Sequence, residues 1–168
     1  MEHYYRLLIQ QWSPDNTDGG PIVDTLETFH VACQEFPFKY LPETKEPAKR
    51  DWYDEDGEDT YIPAGGLKFK AYDLEVKFLY VGKEPAMPDD LRAFIDFLYG
   101  RNNNGYPSLH IYDEYTKTGR RQVYATHVDN EKFAYDNANP EVIAVFKVRF
   151  RVSDPTTNIL LTKNDDSK

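Results

Sequence analysis

Across residues 143–153, apolar and charged side chains alternate one for one: Phe146, Val148, Phe150 and Val152 against Lys147, Arg149 and Arg151. A period of two sends one set to a core and the other to solvent, so the stretch predicts a strand buried on one face. Asp154-Pro155 ends it. Residues 67–81 carry the same signal with a change of parity. Leu67 and Phe69 share one face, and Tyr72, Leu74, Val76, Phe78 and Tyr80 share the other. A slip of one residue turns every side chain over, which predicts a bulge or break near 71–73. Residues 3–12 read as a first strand, a turn cluster fills 14–21, and 28–33 read as a second strand. Segments 108–115 and 121–128 flank Thr-Lys-Thr-Gly-Arg, which predicts a hairpin turning at Gly119. Residues 129–141 are polar and loop-like.

The period changes to 3.6 at 88–100. Leu91, Phe94, Ile95 and Leu98 fall at i, i+3, i+4 and i+7, a single apolar stripe. Pro88 suits a first helical position, Asp89 and Asp90 suit the positive end of the dipole, and Gly100 suits the stop. The expected class is therefore mainly β (α+β), with one flanking helix at about 88–99. One domain over 1–160 and a disordered tail over 161–168 complete the expected organisation.

Residues 34–66 break the pattern. Prolines stand at 37, 42, 47 and 63, the run Asp51-Trp-Tyr-Asp-Glu-Asp-Gly-Glu-Asp59 is acidic, and Gly65-Gly66 follows. Loops of this length in compact domains are usually functional or disordered. A solvated linker has no need of Phe36, Phe38, Tyr40, Trp52, Tyr53 and Tyr61. The segment is expected to be an arm that docks on its own domain or on a neighbouring subunit, with those six residues as the candidate interface.

Charge and composition narrow the function classes. The 168 residues suit one domain, which at about 150 residues buries roughly 70 % of its unfolded surface. Twenty basic residues against 29 acidic give a net charge of −9. That overall balance lacks the basic footprint of a nucleic-acid binder, so specific nucleic-acid binding is not expected. Cys33 is the one cysteine, which leaves no internal disulfide and no cysteine-based zinc site. The opening MEHYYRLLIQQW lacks the basic and apolar regions of a signal peptide, and no run reaches the length of a membrane span; a product made in the cytoplasm is expected.

Candidate chemistry is thin. With Gly57 at the sixth position of a calcium loop, Asp54 and Asp56 take the third and fifth. Trp52 and Pro63 then occupy the first and twelfth, where the first ligand and the closing Glu belong. His3, His30, His110 and His127 form no HExxH pattern, although His110 and His127 sit on the two arms of the expected hairpin. Phosphate-loop, dinucleotide and nucleophile-elbow motifs are absent. The expectation is a non-enzyme without cofactor or metal. Thirteen tyrosines, ten phenylalanines and two tryptophans suit a core with subunit interfaces, or an aromatic platform for carbohydrate.

The order of elements then matters. An amphipathic helix ending in Leu-Tyr-Gly precedes the hairpin with Tyr124 on its second strand. A closing strand follows with Phe146, Val148 and Phe150, then Asp154-Pro155. Over about 67–155 this resembles the N-terminal ring-forming domain of phage distal tail proteins, and more broadly the phage tail-tube fold. The resemblance implies two packed antiparallel sheets or a partly open barrel beside one helix. It also implies assembly into a ring, usually sixfold, with itself and with other tail proteins in a virion tail. It makes the chain a structural component of a phage or prophage tail, made in the host bacterial cytoplasm. The acidic charge would suit a DNA channel. Distal tail, tail tube and tail completion remain alternative positions, and a non-catalytic β-sandwich module for carbohydrate is the alternative function.

Overall fold

The computed structural model describes residues 5–15, 19–36, 42–103, 105–132 and 144–163. Its strands are β1 (Leu7–Gln11), β2 (Ile22–Asp24), β3 (Val31–Glu35), β4 (Lys49–Arg50), β5 (Asp59–Thr60), β6 (Tyr72–Tyr80), β7 (Leu109–Asp113), β8 (Thr118–Lys132) and β9 (Ala144–Val152). Two α-helices, α1 (Thr25–Phe29) and α2 (Met87–Leu98), complete the mainly β, α+β class that the patterning implied. Seven strands form one antiparallel sheet in the order β2-β1-β7-β8-β9-β6-β3, and β4-β5 form a separate two-stranded ribbon.

The large sheet turns a corner at β8. Thr118 to Val123 pair with β7, whereas Val123 to Lys132 pair with β9. At the handover Arg121 and Gln122 together face His110, and Gln122 takes a φ of 55°. A bulge of this kind bends a strand and lets it pass from one sheet direction to another. At the far ends Tyr5 and Cys33 exchange backbone hydrogen bonds of 3.0 and 2.7 Å, tying the start of β1 to edge strand β3. The sheet is thus joined at one corner without closing into a barrel.

The core lies between the sheet and α2. Leu74, Val76 and Phe78 of β6 and Phe146, Val148 and Phe150 of β9 are buried with Leu91, Phe94, Phe97 and Leu98. Phe94 is fully buried, with its ring 5.2 Å from Phe78 and 6.1 Å from Phe146. The helix stripe differs from the expected one at one position: Ile95 is half-buried and Phe97 is buried instead. The reason is α1, whose Phe29 packs 5.7 Å from Phe97 and draws the buried sector round.

Helix α1 also corrects the strand expected at 28–33. Asp24 Oδ1 accepts from the N–H groups of Leu26 (2.9 Å) and Glu27 (3.2 Å), and His30 ends the turn with a φ of 56°. Only Val31–Glu35 is then strand. The break near 71–73 is present: β6 starts at Tyr72, and Phe69 instead pairs with Thr44.

Gly119 is not the hairpin turn. Residues 114–117 turn, with Asp113 accepting from Tyr115 N–H at 2.9 Å and from the Thr116 hydroxyl at 2.8 Å. Gly119 sits inside β8 opposite Tyr112, where a Cβ would stand 2.5 Å from the Ile159 carbonyl oxygen. The chain after β9 crosses here. Asn158 Oδ1 accepts from Gly119 N–H, and Leu161 is buried with Leu8 and Tyr112. Lys163 pairs with Glu27 and Asp24. Of the tail expected to be disordered over 161–168, residues 161–163 are packed against the body here, and 164–168 lie outside the described residues. Strand β8 likewise takes in 129–132 of the expected loop.

Candidate assembly surface

Two exposed features stand out from this frame, an arm and a sheet edge. The arm is built from residues 42–70. Backbone hydrogen bonds from Lys45 N–H to Lys68 O (2.7 Å) and from Lys70 N–H to Glu43 O (2.8 Å) join its root, and Tyr61 N–H to Ala48 O (2.8 Å) continues the ladder. Beyond them β4 pairs with β5 in the register Lys49↔Thr60 and Arg50↔Asp59. The segment expected to be a long loop or arm carries a short ribbon of two residues per strand, and main-chain hydrogen bonds hold its root. Lys49 reaches Glu46 at 2.9 Å and Glu58 at 3.6 Å, screening part of the acidic tip. These exposed pairs orient side chains more than they stabilise.

The six candidate interface residues divide. Trp52 is half exposed, with the Arg50 guanidinium 6.0 Å above its ring; Tyr53 is fully exposed and Tyr61 is 69 % exposed. Phe36 lies in the core at the start of the segment, since it follows β3 directly and is carried inward with that strand. It is a packing residue rather than a surface one. Phe38 and Tyr40 lie outside the described residues. Ile62, which the sequence reading passed over, and Leu67, which it placed on a buried strand face, add exposed apolar surface to the arm. Ile62 stands next to Pro63 outside any alternating run, so no periodic signal finds it.

The edge belongs to β8. Beyond Val123, residues 124–132 pair with β9 on one side and, among the described strands, with none on the other. A row of backbone donors and acceptors left open in this way is a template for another strand. Tyr124, Thr126, His127 and Asp129 are exposed along it. The adjoining solvent face is a charge ladder: Asp73 meets Arg151 at 3.1 Å, and Glu75 lies 3.5 Å from both Lys147 and Arg149.

An open groove of about 530 Å³ lies where the arm's root meets the bulge of β8 and the end of β9, lined in part by Lys45, Leu67, Phe69, Gln122 and Asp154. Burial acts to raise the Asp154 carboxyl, but hydrogen bonds from Arg121 Nε at 2.6 Å and from Thr157 outweigh it and hold it down at about 2.

The residues with catalytic potential are scattered. His110 stacks on Trp12 with its Nδ1 3.3 Å from Gln10 Oε1, and burial followed by the Arg121 charge lowers its pKa. His127 lies several residues further along β8, where its Nε2 is 2.6 Å from Asp129. The hairpin therefore does not bring the two together. His30 faces Asp90 at 3.0 Å. Burial pushes the Cys33 thiol up to about 12, far from a reactive thiolate. Among the described residues no three His, Cys, Asp or Glu side chains are grouped to hold a metal, and no helix is long and apolar enough to cross a membrane.

No family model matches the chain, and no curated protein matches it. A solved structure does. The chain shares its fold with the Dit protein of phage SPP1. That protein is described as a paradigm of the hub adsorption apparatus in phages infecting Gram-positive bacteria. The TM-score is 0.53 at 13 % sequence identity, over 89 % of this chain. The chain spans 50 % of the length of Dit, so the likeness concerns one half of that molecule. At this identity the shared property is the fold.

Proposed function

We propose that this chain is a structural component of a phage or prophage tail, a distal-tail or tube-like protein that acts by assembling into a ring, sixfold by analogy. Its partners are further copies of itself and other tail proteins, its place is the virion tail, and its role is non-catalytic. The observation that carries this reading is the fold shared with Dit over nearly the whole chain. Two surface features support it. The open edge of β8 can accept a strand from a neighbour, and the arm extends Trp52, Tyr53 and Tyr61 away from the core. Contacts between unlike surfaces of neighbouring copies close a ring when the rotation closes. Edge pairing draws affinity from main-chain hydrogen bonds, so it tolerates a sequence that diverges widely from other ring proteins.

The test is negative-stain microscopy of concentrated protein, alone and with the other tail proteins encoded beside it. Rings are expected in at least one of these conditions. Thr126→Pro, on the open edge, is expected to reduce them while leaving the circular-dichroism spectrum unchanged. Protein that stays monomeric in every mixture would overturn the reading.

A further inference from the structure

Away from the arm and the open edge, a cup of about 270 Å³ opens where the end of β1 meets the last turn of α2. Gln11, Ser13, Phe97, Asn102, Asn103 and Tyr106 form most of its wall. In a chain with 29 % charged residues, every described residue lining this cup is neutral. Among the described residues the wall gives no counter-charge to a phosphate, a carboxylate or a metal ion. It offers three side-chain amides, two hydroxyls and two aromatic rings. An amide carries donor and acceptor on one plane, which matches hydroxyl groups that must both give and receive. An aromatic face suits the C–H face of a sugar ring.

The cup is also held in shape. Gln11 Nε2 donates to the Phe97 carbonyl and to Asn102 Oδ1, each at 2.8 Å, so two of the three amides are fixed against the helix end. The remaining pair, Asn102 Nδ2 and Gln11 Oε1, stand 3.5 Å apart. That is a long contact, which leaves both atoms capacity for a ligand hydroxyl. Gly100 has a φ of 68°, and a Cβ there would lie 2.5 Å from Pro107 N; a Cβ on Gly105 would collide with the Asn102 amide. The two glycines let the backbone at 105–107 come back against Gly100 and Asn102, which sets Asn102 and Tyr106 at the rim. Tyr106 remains 44 % exposed, an open ring at the mouth.

The geometry points to a binding site for an uncharged sugar, one pyranose unit of a neutral glycan, between Gln11, Asn102, Asn103 and Tyr106. It rests on the cup alone and stands whether or not the chain forms a ring. A shallow site for a dozen heavy atoms gives a Kd of about 1 mM.

Isothermal titration and saturation-transfer NMR of the full chain test it, with glucose, galactose, mannose and N-acetylglucosamine as neutral probes. Glucuronate and glucosamine serve as charged controls. At least one neutral sugar is expected to bind at about 1 mM, with the charged sugars weaker by about tenfold or more. Asn103→Ala and Tyr106→Ala, both on the exposed loop, are each expected to weaken binding about tenfold without moving Tm. Asn102→Ala serves as a third variant, read only if its melting curve matches the parent's. Absence of binding by every neutral sugar up to roughly 20 mM overturns the inference. So does binding that survives both Asn103→Ala and Tyr106→Ala, or equal binding of the charged sugars.

Discussion

Phe94 joins three layers of the molecule: its ring meets Phe29 of α1, Phe78 of β6 and Phe146 of β9. Truncation leaves a cavity that rigid neighbours on three sides cannot fill. Phe94→Ala is expected to cost about 3–5 kcal/mol in urea denaturation. Ile95→Ala, one position along and half-buried, is expected to cost clearly less. Asp154 sets a different test. Its folded pKa of about 2 lies below the ordinary 3.8, so ionised Asp154 adds stability that is present above about pH 4 and lost as the pH falls through 2. Wild type is expected to exceed Asp154→Asn in stability at pH 6, with the gap closing by about pH 2. A gap that stays constant in acid denaturation would contradict this. The helical spacing alone announced Phe94, because it sits mid-stripe. The role of Asp154 depends on Arg121, 33 positions away, and no local pattern links the two.

At the scale of elements, strands and helices with several turns of clean periodicity were legible, and short or capped ones were not. β9 came through with its buried face, and α2 with its buried face except that Phe97 replaces Ile95. α1 has five residues, too few to show a period, and its evidence is the capping Asp24 with Glu27 three places on. Gly119 misled because a glycine between strand signals usually marks a turn. Here it makes room for a crossing chain, a contact known only once both segments are in place. Gly119→Ala is expected to push the 156–163 segment off Leu8 and Tyr112. The cost would be about 1–3 kcal/mol, with new proteolytic cleavage in that segment. The arm gives the opposite expectation. Its tip is wholly exposed, so replacing residues 49–60 with a short Gly-Ser turn is expected to change stability by less than about 0.5 kcal/mol while suppressing the proposed assembly. Thermal melts and microscopy read the two effects separately.

For the whole molecule, a net charge of −9 means that copies brought into a ring repel one another. Screening shortens that repulsion to about 10 Å at 0.1 M salt, so self-association in sedimentation is expected to rise from low salt to about 0.15 M. Association that falls with salt would instead place attractive ion pairs at the contact. The sequence by itself determined the mainly β class, the helix and its place, the one-sided burial of the closing strand and the acidic character. Each is a local or summed property, written in spacing and composition. Tertiary structure alone decided that β8 changes partners at a bulge, that its far half keeps an open edge, and that Phe36 turns inward while Trp52 and Tyr53 stay out. It also assembled the neutral cup from Gln11 and Asn102, 91 positions apart. Those outcomes depend on which segments meet, and contact between distant segments is settled by packing of the whole chain rather than by the period of any part of it.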